Sequence, residues 1–266
     1  MILAVPLEQT TTGIPGTRLG PDRIRQFSEN AESYSPYFKK DLADCSISDA
    51  GNLEFDYLPT INEKLALIQK KVSDCLTQKA KPLLVGGEHT LTLAAVRAMI
   101  SKYPDLALLQ LDAHADLRDV GESGSKTAHD TVIKRVSEIL KPDSIIQTGI
   151  RCMSREESAL SEALTMDITD IEGIRKKLAK RPVWLTLDLD ILDPSIMPAV
   201  GTPEPMGASY REVIDLLVGL KGINFVGADI VEFNPLAADF AAPAVTAANL
   251  VREACCLLVW SAHGLQ

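Results

Sequence analysis

Three residues that could bind a metal ion follow one apolar segment near the middle of the chain. Residues 106–111 are apolar except for Gln110, which predicts a strand covered on both faces. Asp112, His114 and Asp116 come next at alternate positions, and alternate residues of an extended chain project to the same side. Two carboxylates and an imidazole that converge without a basic partner favour a divalent cation between them. A polar turn that simply ends the strand is the alternative for this triplet alone.

Three other predicted strands end in residues of the same kinds. They end at Glu88 and His89, at Asp188 and Asp190, and at Glu232. Right-handed crossovers would bring the carboxyl ends of parallel strands to one edge of a sheet, where open α/β sheets bind their ligands. We therefore expect these side chains to meet the central triplet. For His89 alone, a histidine that merely begins a helix is the alternative.

Strands alternate with helices along the whole chain, without repeats or a linker. This pattern predicts a single domain, residues 1–266, with a three-layer α/β/α architecture around a mostly parallel sheet. Residues 42–48 are expected to form the second strand and residues 49–52 a turn. Thr90 or Thr92 is expected to cap the helix that follows, and residues 246–260 are expected to form the last helix.

Composition narrows the classes of function. The net charge of −9 argues against nucleic-acid binding, which requires a basic surface. The five cysteines form no C-x-x-C pair and are expected to be reduced, with a redox pair at Cys255 and Cys256 as the alternative. Met1 is not followed by the basic region of a signal peptide, and no apolar stretch is expected to approach the ~20 residues of a membrane helix. A cytoplasmic protein that binds neither nucleic acid nor membrane is expected.

The number and type of the candidate ligands indicate more than one metal ion. Two histidines and four aspartates are too many for one zinc site, which takes four ligands and prefers nitrogen and sulfur. Oxygen-rich ligation with some imidazole suits manganese, and bridging carboxylates suit two ions about 3.5–4 Å apart. Such a pair predicts metal-assisted hydrolysis.

Three motifs of the chain resemble the signatures of the ureohydrolase family, which contains arginases and agmatinases. They are residues 86–89 (Gly-Gly-Glu-His), residues 112–116 (Asp-Ala-His-Ala-Asp) and residues 188–194 (Asp-Leu-Asp-Ile-Leu-Asp-Pro). Glu232, in residues 229–235, is similar to a fourth motif, and residues 16–21 are similar to the N-terminal loop of the family. The resemblance covers nearly the whole chain and implies an arginase-like fold.

The resemblance implies a binuclear manganese centre with six ligands. One Mn²⁺ would be held by His89, Asp112, Asp116 and Asp188, and the other by Asp112, His114, Asp188 and Asp190. Asp112 and Asp188 would bridge the two ions, and a hydroxide held between them would attack the guanidinium carbon of the substrate.

The resemblance also implies roles for three residues in catalysis and substrate binding. Asp116 would take the proton of the hydroxide and pass it to the leaving amine. Glu232 would pair with the guanidinium group, whose fork geometry matches a carboxylate. His129 resembles the histidine that follows a serine in agmatinases, and it would contact the substrate or move a proton. Here it follows Ala128 and precedes Asp130, which departs from that pattern.

The motifs look more like those of agmatinases than of arginases. The expected reaction is hydrolysis of agmatine to putrescine and urea. The alternatives within the class are guanidinobutyrate, guanidinopropionate, arginine and formiminoglutamate as substrates. The alternative outside it is a catalytically silent metal-binding protein on the same scaffold. The family resemblance further implies a homo-oligomer, either a trimer or a hexamer.

Overall fold

A computed structural model describes residues 1–263, apart from the side chains of Pro142, Ala262 and His263. The strands are β1 (Ile2–Val5), β2 (Tyr34–Ser35), β3 (Lys40–Asp41), β4 (Asp49–Asn52), β5 (Leu83–Gly86), β6 (Ala107–Leu111), β7 (Ile145–Thr148), β8 (Pro182–Asp188) and β9 (Asn224–Val231). The helices are α1 (Gly20–Ser28), α2 (Ile61–Thr77), α3 (Leu91–Met99), α4 (Val132–Ser137), α5 (Ser158–Leu164), α6 (Ile171–Leu178), α7 (Tyr210–Gly219) and α8 (Ala241–His263).

Seven of the strands form one sheet in the order β4-β1-β5-β9-β8-β6-β7. Every pairing in this sheet is parallel, while β2 and β3 form a separate antiparallel hairpin. The four strands that end in predicted site residues, β5, β9, β8 and β6, are consecutive in the sheet. Their carboxyl ends therefore lie side by side, as the sequence predicts.

Helices cover both faces of the sheet, so the core has two halves. One half packs α1, α6, α7 and α8 against the sheet and includes Ile24, Leu178 and Leu250. The other packs α2, α3 and α4 against the opposite face and includes Ile68 and Val96. The prediction of a single α/β domain with three layers is confirmed. The last three residues of the predicted range 1–266 lie outside the described residues.

The prediction for residues 42–52 is wrong. Leu42–Asp44 form a 3₁₀ turn, and the strand is Asp49–Asn52, which had been expected to turn. Its polar residues tolerate this position because β4 is an edge strand, paired only with β1 in the sheet. Arg25 holds it from the side, with Nε 2.8 Å from Oδ2 of Asp49. No apolar alternation marks such a strand.

Two further expectations about helices need correction. Thr90 precedes α3, but its side chain does not cap that helix. α8 begins at Ala241 rather than at residue 246, and its span Ala241–Ser261 is long and apolar enough to cross a membrane. The apolar segment in this helix is therefore longer than the sequence analysis predicted. Because 67% of its most apolar window is buried against the rest of the domain, it serves as a core helix.

Candidate active site and metal centre

The central triplet converges through a turn rather than through a continued strand. β6 ends at Leu111, and His114 forms an isolated parallel bridge with Cys152. At Asp116 the backbone φ is +54°, in the left-handed region that few non-glycine residues adopt. The expected extended alternation therefore ends before Asp116. This turn directs the Asp116 carboxylate back toward His89, with Oδ2 3.1 Å from Nδ1.

The aspartate pair after β8 is placed in a similar way. Asp188 is the last residue of the strand, and Leu189–Ile191 form a 3₁₀ turn that contains Asp190. Oδ1 of Asp188 accepts a hydrogen bond of 2.9 Å from the backbone N–H of Asp190. Oδ1 of Asp190 accepts a bond of 3.0 Å from the N–H of Ala113, which ties this turn to the end of β6.

His89 presents one ring nitrogen to a group of carboxylates. Its Nδ1 lies 3.2 Å from Oδ2 of Asp112, 3.1 Å from Oδ2 of Asp116 and 3.4 Å from Oδ2 of Asp188. Among the described atoms, this buried nitrogen has no hydrogen-bond partner. A buried acceptor nitrogen that faces three carboxylate oxygens is the arrangement expected of a metal ligand.

A buried hydrogen-bond network fixes the opposite edge of the His89 ring, at Nε2. Nε2 lies 2.7 Å from Oγ1 of Thr186, and this hydroxyl donates to Oδ1 of Asp229. Oδ2 of Asp229 accepts bonds from Nε1 of Trp184 (2.6 Å) and Oγ1 of Thr92 (3.0 Å). The Thr186 hydroxyl donates its proton to Asp229. The same hydroxyl oxygen therefore accepts a hydrogen bond from Nε2–H of His89, and this leaves the lone pair of the ring on Nδ1.

His114 joins a second group of ligand atoms. Its Nδ1 lies 2.8 Å from Oδ2 of Asp190 and 3.7 Å from Oδ1 of Asp112. Two of the three ligand sets among the described residues consist of histidine and aspartate alone, each with its ligand atoms within 4.8 Å of one another: His89, Asp112 and Asp188, and Asp112, His114 and Asp190. Asp112 belongs to both sets. Asp188 belongs to the first set only, and Asp116 contacts the first set through His89.

The buried carboxylates of the site need positive charge. Burial raises the pKa of Asp188 well above its usual value, and the charges of Asp190 and Asp112 raise it further. Burial and the charge of Asp112 raise the pKa of Asp116 to about 6. Burial also lowers the pKa of His114, but hydrogen bonds with Asp112 and Asp190 raise it far above its usual range. Divalent cations would neutralise the negative charge of these buried carboxylates. The residues present therefore fit a metal pair.

Glu232 follows β9 and lies beside the first ligand set. Its φ is +66°, and its backbone N–H donates to the carbonyl oxygen of Gly87 (2.9 Å), at the end of β5. Its Oε1 accepts a bond of 2.7 Å from the backbone N–H of His89. Burial raises the pKa of its carboxyl group to about 7. A carboxylate held so firmly beside the candidate metal ligands can pair with a cationic substrate group.

His129 lies in a 3₁₀ turn before α4 and is fixed by the N-terminal loop. Its backbone N–H donates to Oγ1 of Thr10, and its Nε2 lies 3.0 Å from Oγ1 of Thr12. Thr10 is in turn held by Glu88, which accepts its backbone N–H (2.7 Å) and its hydroxyl (2.6 Å). The ring is half-buried. The unusual Ala128 context therefore still places the imidazole at the site.

A cavity of about 250 Å³ connects these residues. Six predicted site residues line it: His114, Asp116, His129, Asp188, Asp190 and Glu232. His89 and Asp112 lie behind this lining and are buried. The site thus combines a pocket large enough for a small linear molecule with convergent ligand side chains at its inner end.

A model of the Arginase family matches residues 1–256 of the chain. The chain belongs to the Arginase family. The agmatinase of Bacillus cereus is 36% identical over 98% of this chain and 91% of its own. A crystal structure of a Clostridium difficile protein has a TM-score of 0.91 at 35% identity and covers 97% of this chain and 95% of its own. The agmatine ureohydrolase of Thermoplasma volcanium has a TM-score of 0.86 at 30% identity, over 100% and 91% of the two chains.

Family membership confirms part of what the motifs predicted. The chain is an arginase-family hydrolase of the metal-dependent amidinohydrolase class, and the arginase-like fold is confirmed. The binuclear metal centre is a property of this family, and the two ligand sets that share Asp112 agree with it.

Sequence reasoning missed the residues that support the predicted ligands. Gln110 is the one polar residue in the apolar run 106–111, and its Nε2 donates to Oδ2 of Asp112 (2.7 Å). The motifs predicted no role for Asp229 or Thr186. A buried acid within the apolar run of β9 was a usable signal, because an isolated carboxylate is rarely buried without a function. Arg118 pairs with Glu122, with Nη2 3.1 Å from Oε1.

Proposed function

We propose that this arginase-family protein is an agmatinase, which hydrolyses agmatine to putrescine and urea with the help of two Mn²⁺ ions. The observation that carries the proposal is the pair of ligand sets that share Asp112 and adjoin a cavity lined by the buried Glu232. The similarity to the Bacillus cereus agmatinase over nearly the whole chain supports the choice of substrate.

Six side chains would hold the metal pair. His89, Asp112, Asp116 and Asp188 are proposed for one ion, and Asp112, His114, Asp188 and Asp190 for the other. Four carboxylates and two imidazole nitrogens form an oxygen-rich set, which favours manganese over zinc. When bound, such a pair supplies an activated water as the nucleophile and stabilises the charge that develops in the transition state.

Glu232 is proposed to bind the guanidinium group of the substrate. One of its oxygens already accepts the N–H of His89, so the carboxylate is held in one orientation before the substrate arrives. A carboxylate and a guanidinium make charge-assisted hydrogen bonds with a planar geometry. This pairing directs the central carbon of the guanidinium group toward the candidate metal ligands at the inner end of the cavity.

Asp116 is proposed to move the proton that the reaction requires. Its carboxylate lines the cavity, with Oδ2 3.1 Å from Nδ1 of His89, and so lies where it can accept a proton from the attacking water and then release it. Its carboxylate takes a proton from the attacking water and donates it to the amine nitrogen as the C–N bond breaks. His129, which lines the same cavity, is proposed to contact the substrate and to exchange protons with solvent.

The charges of the outer cavity support a substrate with a cationic tail. Besides the proposed catalytic and metal-binding residues, the cavity is lined by four carboxylates and a single guanidinium group: Glu122, Asp130, Glu157, Glu204 and Arg118. Arg118 lies 3.1 Å from Glu122 and 3.9 Å from both Asp130 and Glu157, so its charge is compensated. The excess of negative charge favours the ammonium group of agmatine over the carboxylate of guanidinobutyrate or guanidinopropionate.

Urea release from a panel of guanidino compounds tests the proposal. The Mn²⁺-loaded protein would be given agmatine, guanidinobutyrate, guanidinopropionate, arginine and formiminoglutamate, the last assayed by formamide release. We expect agmatine to give the highest kcat/KM, with putrescine and urea in equal amounts. Asp116→Asn should abolish turnover and keep the circular dichroism of the parent. Preference for an acid-tailed substrate would contradict the proposed substrate, and no hydrolysis of any compound would favour a catalytically silent protein.

The proposal also covers the cellular compartment, the domain organisation and the oligomeric state of the enzyme. All five cysteines are free thiols, which supports a reducing compartment such as the cytoplasm. The whole chain, 1–266, is proposed to form one ureohydrolase domain. We also propose that the enzyme works as a homo-oligomer, a trimer or hexamer, without nucleic-acid or membrane partners.

A further inference from the structure

His114 faces a second group of ligand atoms on the side away from the proposed metal pair. Its Nδ1 points to Asp190, whereas its Nε2 lies 3.9 Å from Oε1 of Glu204. A ligand atom of His114, the Cys152 sulfur and a carboxylate oxygen of Glu204 lie within 4.8 Å of one another. All three residues are half-buried and line the same cavity. The group therefore opens onto the space that the substrate would use.

The backbone holds these three residues in place. Cys152 forms an isolated bridge with His114, and its N–H donates to the carbonyl oxygen of Ala113 (2.9 Å). Arg151 links this segment to the loop of Glu204, since its Nη2 donates to the carbonyl oxygens of Asp190 (2.7 Å) and Glu204 (2.9 Å). The three ligands thus come from segments that are already joined by hydrogen bonds.

The chemistry of this group differs from that of the six proposed manganese ligands. It offers one nitrogen, one sulfur and one oxygen atom, and the soft sulfur ligand favours Zn²⁺ and similar ions over Mn²⁺. Three protein ligands leave a fourth position for water, which is typical of open zinc sites. A cation bound here would displace the proton on Nε2 of His114, whose Nδ1 is proposed to bind manganese, and the thiol proton of Cys152, and both protons would pass to water.

We propose that His114, Cys152 and Glu204 form a third cation site, which binds thiophilic divalent ions in addition to the metal pair and blocks the substrate cavity. The inference goes beyond the proposed function, because the site would bind its ion whether or not agmatine is the substrate. It predicts that Zn²⁺ and Cd²⁺ inhibit the loaded enzyme without displacing the ions already bound.

Cadmium absorbance tests the site directly. Mn²⁺-loaded protein would be titrated with Cd²⁺ while the near-ultraviolet thiolate-to-metal charge-transfer band and the manganese content are measured. We expect one equivalent of Cd²⁺ per chain to produce the band while manganese is retained. Cys152→Ser should lose the band. Cys45→Ser is the matched control, because Cys45 is also a half-buried free thiol, and it should keep the band.

Inhibition provides a second readout, with each variant compared with its own uninhibited rate. Cys152→Ser and Glu204→Gln should each need at least about tenfold more Cd²⁺ for half inhibition, because each loses one ligand. A band that persists in Cys152→Ser, no band in the parent protein, or cadmium uptake matched by an equal loss of manganese would each overturn the proposal. Equal sensitivity of parent and Cys152→Ser would do so as well.

Discussion

At the scale of single residues, the sequence predicted which residues are candidate metal ligands. It did not predict the residues and backbone turns that hold those ligands in place. The four motifs named the six proposed metal ligands and Glu232, because carboxylates and imidazoles at strand ends carry a recognisable spacing. The way in which Asp116 reaches His89 was not predictable, since it depends on a left-handed turn that no residue type in the motif signals. The role of Asp229 was hidden because its contacts join β9 to β8 and α3.

Glu232→Gln tests the proposed role of the Glu232 carboxylate in substrate binding. Glutamine can still accept the N–H of His89 but carries no charge to pair with a guanidinium group. We expect KM for agmatine to rise roughly 10- to 100-fold, the loss of a charge-assisted hydrogen bond, while manganese content stays at the parent level. Steady-state kinetics and metal analysis measure the two effects. Glu54→Gln, at an exposed position, is the control; a fall in manganese content would make Glu232 a metal ligand instead.

Asp229→Asn tests the network behind His89. Both oxygens of Asp229 accept hydrogen bonds, from Thr186 on one side and from Trp184 and Thr92 on the other, and asparagine has only one oxygen. The His89 ring should lose its fixed tautomer, and we expect the affinity for manganese to fall about 10- to 100-fold. Metal titration followed by calorimetry measures this loss. Asp215→Asn, on the exposed face of α7, should bind manganese as the parent does, and equal affinities would remove Asp229 from the support of the site.

At the scale of secondary-structure elements, strong local signals predicted the structure well. α2 buries Leu65, Ile68 and Val72 at helical spacing, β9 is a largely apolar buried run, and the Ser209 side chain caps α7 by accepting the N–H of Glu212. β4 could not be predicted, because an edge strand of polar residues is selected by pairing with β1 rather than by its own pattern. The two-residue strands β2 and β3 are equally without a local signal.

Thr60→Ala tests the start of α2. Thr60 and Glu63 form a reciprocal capping box, in which the N–H of Glu63 donates to Oγ1 of Thr60 (3.3 Å) and the N–H of Thr60 donates to Oε2 of Glu63 (3.0 Å). Loss of the hydroxyl should lower the free energy of unfolding by about 1 kcal/mol. Urea denaturation measures the change. Thr77→Ala, at the other end of the helix, should cost less, and an equal loss in both variants would argue against a capping effect.

At the scale of the whole molecule, parallel topology explains why distant motifs form one site. Four consecutive strands of the sheet, β5, β9, β8 and β6, deliver their carboxyl ends to one edge, although they are far apart in the sequence. The alternation of strands and helices predicted this arrangement, since right-handed crossovers leave few other choices. The shape and charge of the outer cavity could not be predicted, because loops from several parts of the chain form it together.

We propose that six side chains at this edge hold two cations side by side, and anomalous X-ray scattering from crystals of the Mn²⁺-loaded protein would locate both ions. We expect two manganese peaks per chain, about 3.5–4 Å apart, with Asp112 and Asp188 between them. His89 Nδ1 and His114 Nδ1 should each lie next to a different peak. A single peak per chain, or two peaks too far apart for one carboxylate to bridge, would rule out a binuclear centre at this edge of the sheet.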